Sequence, residues 1–346
     1  MIYQSLLKSL FFKMDPEEAH HLLVNISKNI NGQPLVRSLI SGLYGYSSPR
    51  LRQSICNLNF PNPFGLAAGF DKNGKLPQLM EAIGFGFAEV GSITAQPSSG
   101  NAKPRLFRLP EDGSLINRLG LNNDGAQTVC RRLEQQHTSI PIGVNIAKTN
   151  SENINGDDAI EDYVTSYRYA NSVADYITIN ISCPNTKEGK SFENPQILKE
   201  LLDAMRLRID ARRVPTFIKL SPDTDDTQIK RIVEVCEEFS IDGYVATNTT
   251  ASRPLSKMST PSEKVSGIGH GGLSGNILQK RSTEVIRYLR SIIGNDKPII
   301  GVGGISSTES ALEKLKAGAN LLQCYTGLIY NGPALPGKIN RGINKY

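Results

Sequence analysis

The chain has 346 residues, 39% hydrophobic and 21% charged, which excludes a disordered chain and a mini-protein and allows two ordinary domains or one large barrel with an appendage. Lys plus Arg is 39 against 33 Asp plus Glu, a net charge of +6. That excess favours an anionic partner, but it is spread out, without the basic block or interleaved aromatics of a nucleic-acid groove. Five widely spaced Cys without a C-x-x-C exclude a disulfide framework and a structural zinc site, and suit a reducing compartment.

The opening segment MIYQSLLKSLFFKMDPEE lacks a signal-peptide pattern, and no apolar run approaches the roughly 18 residues of a membrane span. Leu6, Leu7, Leu10, Phe11 and Met14 recur at helical spacing. Asp15-Pro16-Glu17-Glu18 then reads as a second helix start, with a cap, a first-turn Pro and acidic residues at the positive end. Ala19, Leu22, Leu23, Ile26 and Ile30 continue that stripe to Gly32 and Pro34. The spacing therefore predicts two short amphipathic helices, set apart as a segment 1–45 before a domain 46–346.

Eight short apolar runs follow: 64–70, 87–94, 141–147, 176–182, 216–221, 243–250, 298–305 and 321–327. Helical stretches separate them, at 76–84, 128–136, 160–170, 196–209, 226–239, 277–290 and 308–318. Near-continuous apolar strands alternating with helices imply a parallel sheet, and eight such units predict a closed (β/α)8 TIM barrel. The insertion 104–121 reads as a hairpin over one mouth. Residues 252–272, rich in Ser, Gly and Pro, read as a long mobile loop that could serve as a lid.

In such a barrel the C-terminal strand ends carry the active site. Here they bear Asp71-Lys72-Asn73, Asn145, Asn180, Ser182-Cys183-Pro184-Asn185, Lys219, Thr247-Asn248-Thr249 and Tyr325-Thr326. Two Lys and several Asn, without a metal-ligand cluster, suit an aromatic, amide-rich ligand. The Gly-rich turns 301–304 and 325–327 can present backbone N–H groups to a phosphate. Gly267-Ile268-Gly269-His270-Gly271-Gly272 matches G-x-G-x-x-G but follows a polar stretch rather than a strand, so it reads as a close-approach loop, not a dinucleotide fingerprint. Cys56, Cys130, Cys236 and Cys324 read as core residues. Cys183 follows a strand and precedes Pro-Asn at the polar mouth, and with no His near it in sequence it suits a general base better than a covalent nucleophile.

The segments GLAAGFDKNG (65–74), GNAKPRLFRL (100–109), INRLGLNN (116–123), NISCPNT (180–186), IKLSPD (218–223), ATNTT (246–250), GGLSG (271–275), GVGGI (301–305) and QCYTGLIYNGP (323–333) together resemble dihydroorotate dehydrogenases, in order and over nearly the whole chain. DPEEAH (15–20) is similar to the mark of the class 2, quinone-linked, membrane-associated branch. The resemblance implies an FMN barrel that oxidises dihydroorotate to orotate in pyrimidine synthesis. It implies FMN contacts from Ala68, Gly69, Phe70, Asp71, Lys72, Ser92, Asn145 and Asn180. Lys219, Thr247, Gly275, Gly303, Gly304, Tyr325 and Thr326 would complete that set. Lys72, Asn117, Asn122, Asn180, Asn185 and Asn248 would hold the substrate, with Arg118, Leu119, Gly120, Leu121 and Thr249 around it. Cys183, assisted by Lys72, would remove the C5 proton, and His20, Arg108 and Tyr325 would line a quinone tunnel. With no transit-peptide pattern at the N-terminus, the cytoplasmic side of a bacterial inner membrane is expected; the weak basic clustering argues against a nucleic-acid partner, and a monomer or homodimer is expected. Two positions depart from class 2 habit: Cys183 stands where Ser is usual, and Leu121 where Phe is usual. The alternatives are a soluble class 1 enzyme using fumarate or NAD, another FMN-dependent dihydropyrimidine or dihydrouridine oxidoreductase, and a non-catalytic phosphate-binding barrel.

Overall fold

The computed structural model describes residues 3, 7–31, 33–182, 192–208 and 214–346, leaving aside the side chains of 28, 29, 207 and 208. Helices α1 (Lys8–Lys13), α2 (Pro16–Asn31) and α3 (Pro34–Tyr44) open the chain. The third corrects the sequence expectation of two. Pro34 sits in the first turn of α3, where its missing N–H is no loss and its fixed φ suits a helix, so it begins a helix as well as following one. Strands β1 (Gln53–Ile55) and β2 (Leu58–Phe60) then form a short antiparallel hairpin. Its turn residues Cys56 and Asn57 both take positive φ, 50° and 62°, as a type I′ hairpin turn requires. Cys56 is therefore a half-buried turn residue and not a core one.

The eight apolar runs form β3 (Phe64–Leu66), β4 (Phe87–Ile93), β7 (Ile142–Ile146), β8 (Tyr176–Asn180), β9 (Thr216–Leu220), β10 (Gly243–Ala246), β12 (Ile299–Val302) and β13 (Leu321–Cys324). They close in the order β3-β4-β7-β8-β9-β10-β12-β13, every pair parallel. Alternation sorts each strand between two environments. Val144, Ile146, Ile177, Ile179, Ile218 and Leu220 belong to the large core under the helices. Phe87, Tyr176 and Phe217 point inward and pack edge to face across the barrel floor. Glycines on neighbouring strands make room for these rings: a Cβ on Gly65, Gly143 or Gly243 would fall within 2.6 Å of one of them. Above this apolar floor the inward positions become polar, with Glu89, Thr178 and Gln323, then Asn145, Asn180 and Lys219, all buried. Stacked layers from alternate strands make the interior a packed core that opens only at the upper mouth.

The outer layer consists of α4 (Pro77–Ala82), α5 (Ala126–Glu134), α6 (Asp157–Val173), α7 (Pro195–Arg208), α8 (Asp226–Glu238), α10 (Gln279–Ile293), α11 (Thr308–Lys316), α12 (Thr326–Asn331) and α13 (Leu335–Lys345). The insertion 104–121 forms the expected hairpin, β5 (Leu106–Leu109) and β6 (Ser114–Asn117). Within 252–272, expected as a bare loop, lies α9 (Ser262–Ile268), and β11 (Gly272–Gly275) then pairs with β6 to make a three-stranded sheet over the mouth. Gly267 lies inside α9, Gly269 ends it with φ 79°, and Gly272 begins β11. The G-x-G-x-x-G match therefore serves a helix stop and a strand start.

Candidate active site

The C-terminal strand ends enclose a cavity between the barrel and the three-stranded sheet. Ala68, Gly69, Lys72, Ser92, Asn180, Lys219, Thr247, Asn248 and Thr249 line it from the barrel, and Asn117, Leu119, Gly120 and Leu121 from the hairpin side. Gly275, Gly303, Gly304, Tyr325 and Thr326 close its far end. Asn180 stands opposite Lys219 in the β8–β9 register. Asn117 reaches back to the Gly272 carbonyl at 3.2 Å. Leu121 takes φ 54° beside Gly120 at 68°, a left-handed pair that a non-Gly residue adopts at some cost. Asn123 holds that bend: its amide donates to the Leu121 carbonyl at 2.7 Å and to Thr94 Oγ1 at 2.8 Å.

Glu89, which the sequence reading passed over, fixes the direction of a hydrogen-bond chain beneath the cavity. It is 0% exposed, and as a carboxylate it only accepts. Asn145 Nδ2 donates to Glu89 Oε1 at 2.8 Å, which turns Asn145 Oδ1 towards the Ser92 hydroxyl that donates to it. Ser92 Oγ accepts from Asn180 Nδ2 at 3.4 Å, and Asn180 Oδ1 accepts from Asn248 Nδ2 at 3.3 Å. Gln323 Nε2, Thr178 Oγ1 and Tyr176 OH also donate to Glu89, at 2.8, 3.1 and 3.3 Å. One buried acid thus orients three asparagine amides. A single Glu inside the apolar run FAEVGSI (87–93) was the available signal.

The donor set at the mouth fits a flavin. Gly303 and Gly304 take φ 122° and 74°. A Cβ on Gly304 would lie 2.5 Å from Gln279 Cα, and one on Gly275 2.6 Å from Ser114 Cα. These turns are held against other backbone and can offer little beyond their own N–H groups, as a phosphate cradle does. Buried Lys219 and Lys72, whose ammonium donates to Asn122 Oδ1 at 2.5 Å, supply cations. Amide donors complete a set that fits an anionic, amide-bearing isoalloxazine and its phosphate.

The structure does not bring every expected residue into this cavity. Asn145 acts from below, through Ser92. Asp71 is buried and accepts from the Lys75 and Leu76 backbone N–H groups at 2.9 and 2.7 Å, so it shapes the turn into α4; burial pushes its carboxyl up against those bonds. Arg118 donates to the Ile268 and His270 carbonyls and lies over the Phe107 ring, stitching the α9 segment to the hairpin. Asn122 lines a small polar pocket beside Lys72 and His20. Phe70 faces the second cavity. Cys183 and Asn185 lie outside the described residues.

That second cavity, about 400 Å³ and strongly apolar, runs between the N-terminal helices and the barrel. Phe11, Ala19, Leu23, Ile26, Ile30 and Ile40 line it from the helices, and Leu106, Leu115 and Tyr325 separate it from the first cavity. Its polar groups are few. His20 packs edge-on against Phe70 at 5.1 Å, and burial, with Lys72 and His21 adding positive charge, pushes its imidazole down to about 4. Arg108 donates to the Met14 carbonyl at 2.9 Å and stacks over Phe12. Burial pushes the Tyr325 phenol up to about 12. Glu17 on α2 fastens these helices to the hairpin: Arg105 donates to both its oxygens, at 2.6 and 3.1 Å. That bond holds the Glu17 carboxyl below its usual range against burial. Nothing in the local sequence marks this pair, 88 residues apart.

The dihydroorotate dehydrogenase family profile matches residues 50–346. A dihydroorotate dehydrogenase (quinone) of Natronomonas pharaonis is 43% identical over 344 residues, covering 99% of this chain and 94% of that protein. One of Christiangramia forsetii is 41% identical over 344 residues, covering 99% and 98%. The ligand-free DHODH of Eimeria tenella superposes with a TM-score of 0.84 at 31% identity, over 95% of this chain and 94% of that one. With a family profile over most of its length and relatives this similar along almost all of it, the chain belongs to the dihydroorotate dehydrogenase family.

Proposed function

We propose that the chain is a quinone-dependent dihydroorotate dehydrogenase that oxidises (S)-dihydroorotate to orotate on FMN and passes the electrons to a membrane quinone. The curated relatives of known name are quinone enzymes matched along nearly the full chain, and the activity belongs to pyrimidine synthesis. The observation that carries the reading is the shared wall: Leu106, Leu115 and Tyr325 face an amide- and lysine-lined cavity on one side and an apolar one on the other. A polar, ring-amide substrate and an apolar acceptor can thus approach one redox group from two directions.

A bound flavin supplies a hydride acceptor at the substrate and a two-electron donor to the quinone. Buried Lys219 would supply a cation to offset the negative charge a flavin gains on reduction, and Lys72, Asn117, Asn180 and Asn248 would pair with the substrate's carboxylate and ring amides. Cys183 follows Ser182 from the end of β8 and serves as the base. It takes the C5 proton as the hydride leaves C6, and the electron pair left at C5 forms the C5–C6 double bond of orotate. His20 stays neutral in the apolar cavity at ordinary pH, so with Arg108 it can donate a hydrogen bond to a quinone oxygen. Among the described residues no helix is long and apolar enough to cross a membrane. Leu35, Leu39 and Leu43 recur every four residues on α3 and are 87%, 65% and 68% exposed, a stripe that suits burial in one membrane leaflet. Residues 1–45 then form the membrane- and quinone-facing segment, at the cytoplasmic side of a bacterial inner membrane.

The test is an anaerobic visible spectrum. Dihydroorotate should bleach the flavin, and a ubiquinone analogue, but not fumarate or NAD, should restore it. Recovery with fumarate or NAD would mean that Cys183 marks the acceptor better than the N-terminal helices do. Deleting residues 1–45 should spare bleaching and slow recovery by quinone; unchanged recovery would refute the tunnel.

A further inference from the structure

Lys314, on the outer helix α11, is 0% exposed. Its ammonium donates to Ser282 Oγ at 3.0 Å, Thr283 Oγ1 at 3.1 Å and the Gln279 carbonyl at 3.4 Å. All three acceptors are neutral and all belong to the first turns of α10. An ammonium whose hydrogen-bond acceptors are neutral is buried at a cost; burial pushes its pKa down to about 7, against the opposing charge of neighbouring Glu313.

The same turns of α10 support the glycine cradle. Ser282 Oγ donates to the Val302 carbonyl at 2.6 Å. A Cβ on Gly303 would lie 2.9 Å from Ser282 Cβ, and one on Gly304 2.5 Å from Gln279 Cα. The cavity end formed by Gly275, Gly303, Gly304 and Thr326 is itself uncharged. Lys314 thus stands one layer behind backbone that faces the ligand, joined to it through Ser282.

We propose that Lys314 is a positioning residue for the flavin phosphate, locking the start of α10 against the Gly303–Gly304 turn and placing a positive charge behind a neutral cradle. The inference rests on the flavin reading above. A dianionic phosphate offsets the cost of the buried ammonium, which a neutral ligand end does not.

The test compares FMN with riboflavin, which lacks the phosphate, on the full-length chain stripped of flavin, for wild type and Lys314→Met. FMN should bind about tenfold more weakly to the variant, while riboflavin affinity stays within about twofold. If Lys314→Met does not accumulate as folded protein, Lys314→Gln carries the same comparison. Equal weakening of both ligands, or unchanged FMN affinity, overturns the role of Lys314. A wild-type chain that does not prefer FMN to riboflavin overturns the phosphate cradle itself.

Discussion

Glu17→Gln isolates the attachment of the N-terminal helices. Glu17 and Arg105 are 6% and 7% exposed, so their bidentate pair escapes the screening that reduces surface pairs to under about 1 kcal/mol. Removing one partner of a buried pair costs about 3–5 kcal/mol, most of it from the stranded charge. Arg105 retains the Ser99 and Asn101 carbonyls at 2.6 and 2.7 Å, which lowers the expected loss to about 2–3 kcal/mol. That loss falls on docking of α1–α3, because the barrel core lies elsewhere, and it shifts the docked-to-undocked ratio roughly 30- to 150-fold. Proteolysis of the first 45 residues should accelerate and the KM for quinone should rise. Stopped-flow reduction by dihydroorotate should be unchanged. Glu17→Gln/Arg105→Met should recover part of the docking, since replacing both partners removes the stranded charge. Slower flavin reduction with unchanged proteolysis would refute the argument, because the pair would then support the catalytic cavity and not the helices.

Cys183→Ala should nearly abolish reduction by dihydroorotate while FMN stays bound, and normal reduction kinetics would remove Cys183 from the mechanism. Cys183→Ser should move the rate optimum to higher pH, since a hydroxyl holds its proton far more tightly than a thiol with a reference pKa of about 8.5. Gly304→Ala should yield colourless protein, because its Cβ would meet Gln279 backbone at 2.5 Å from a φ of 74°; normal flavin content would show that the turn can relax. Burial holds the pKa of the folded His20 imidazole down to about 4, below its ordinary 6.5, so as pH falls below 6.5 the unfolded state takes a proton that the folded state refuses. Stability is then lost by about 1.4 kcal/mol per pH unit down to about pH 4. His20→Phe removes that term, so its stability relative to wild type should improve between pH 7 and pH 5 in chemical denaturation.

The barrel was legible because its strands carry their environment in their pattern. Ile177 and Ile179 face helices while Tyr176, Thr178 and Asn180 face inward, and both sets are buried, which produces a near-continuous run. The cavity was legible for a related reason: Lys219 and Asn180 are unusual at the ends of such runs. Partnership across the chain was not legible. Arg118 sits in a motif beside true lining residues, yet its guanidinium turns to carbonyls some 150 residues away. Lys314 lies in ALEKLKAG (311–318), which reads as an exposed amphipathic helix, and only the fold reveals that α10 covers it. The type I′ turn at Cys56-Asn57 lacks the Gly that usually announces one, so β1 and β2 passed unseen. Periodicity reports which face of an element is buried; it does not report what buries it. Glu89, Glu17 and Lys314 share that property: each is a charged residue whose partners escaped the sequence reading because they lie on distant segments. Those neighbours give each its role: buried Glu89 aligns the amides below the mouth, the Glu17–Arg105 pair fastens the N-terminal helices to the hairpin, and on the inference above Lys314 backs the glycine cradle.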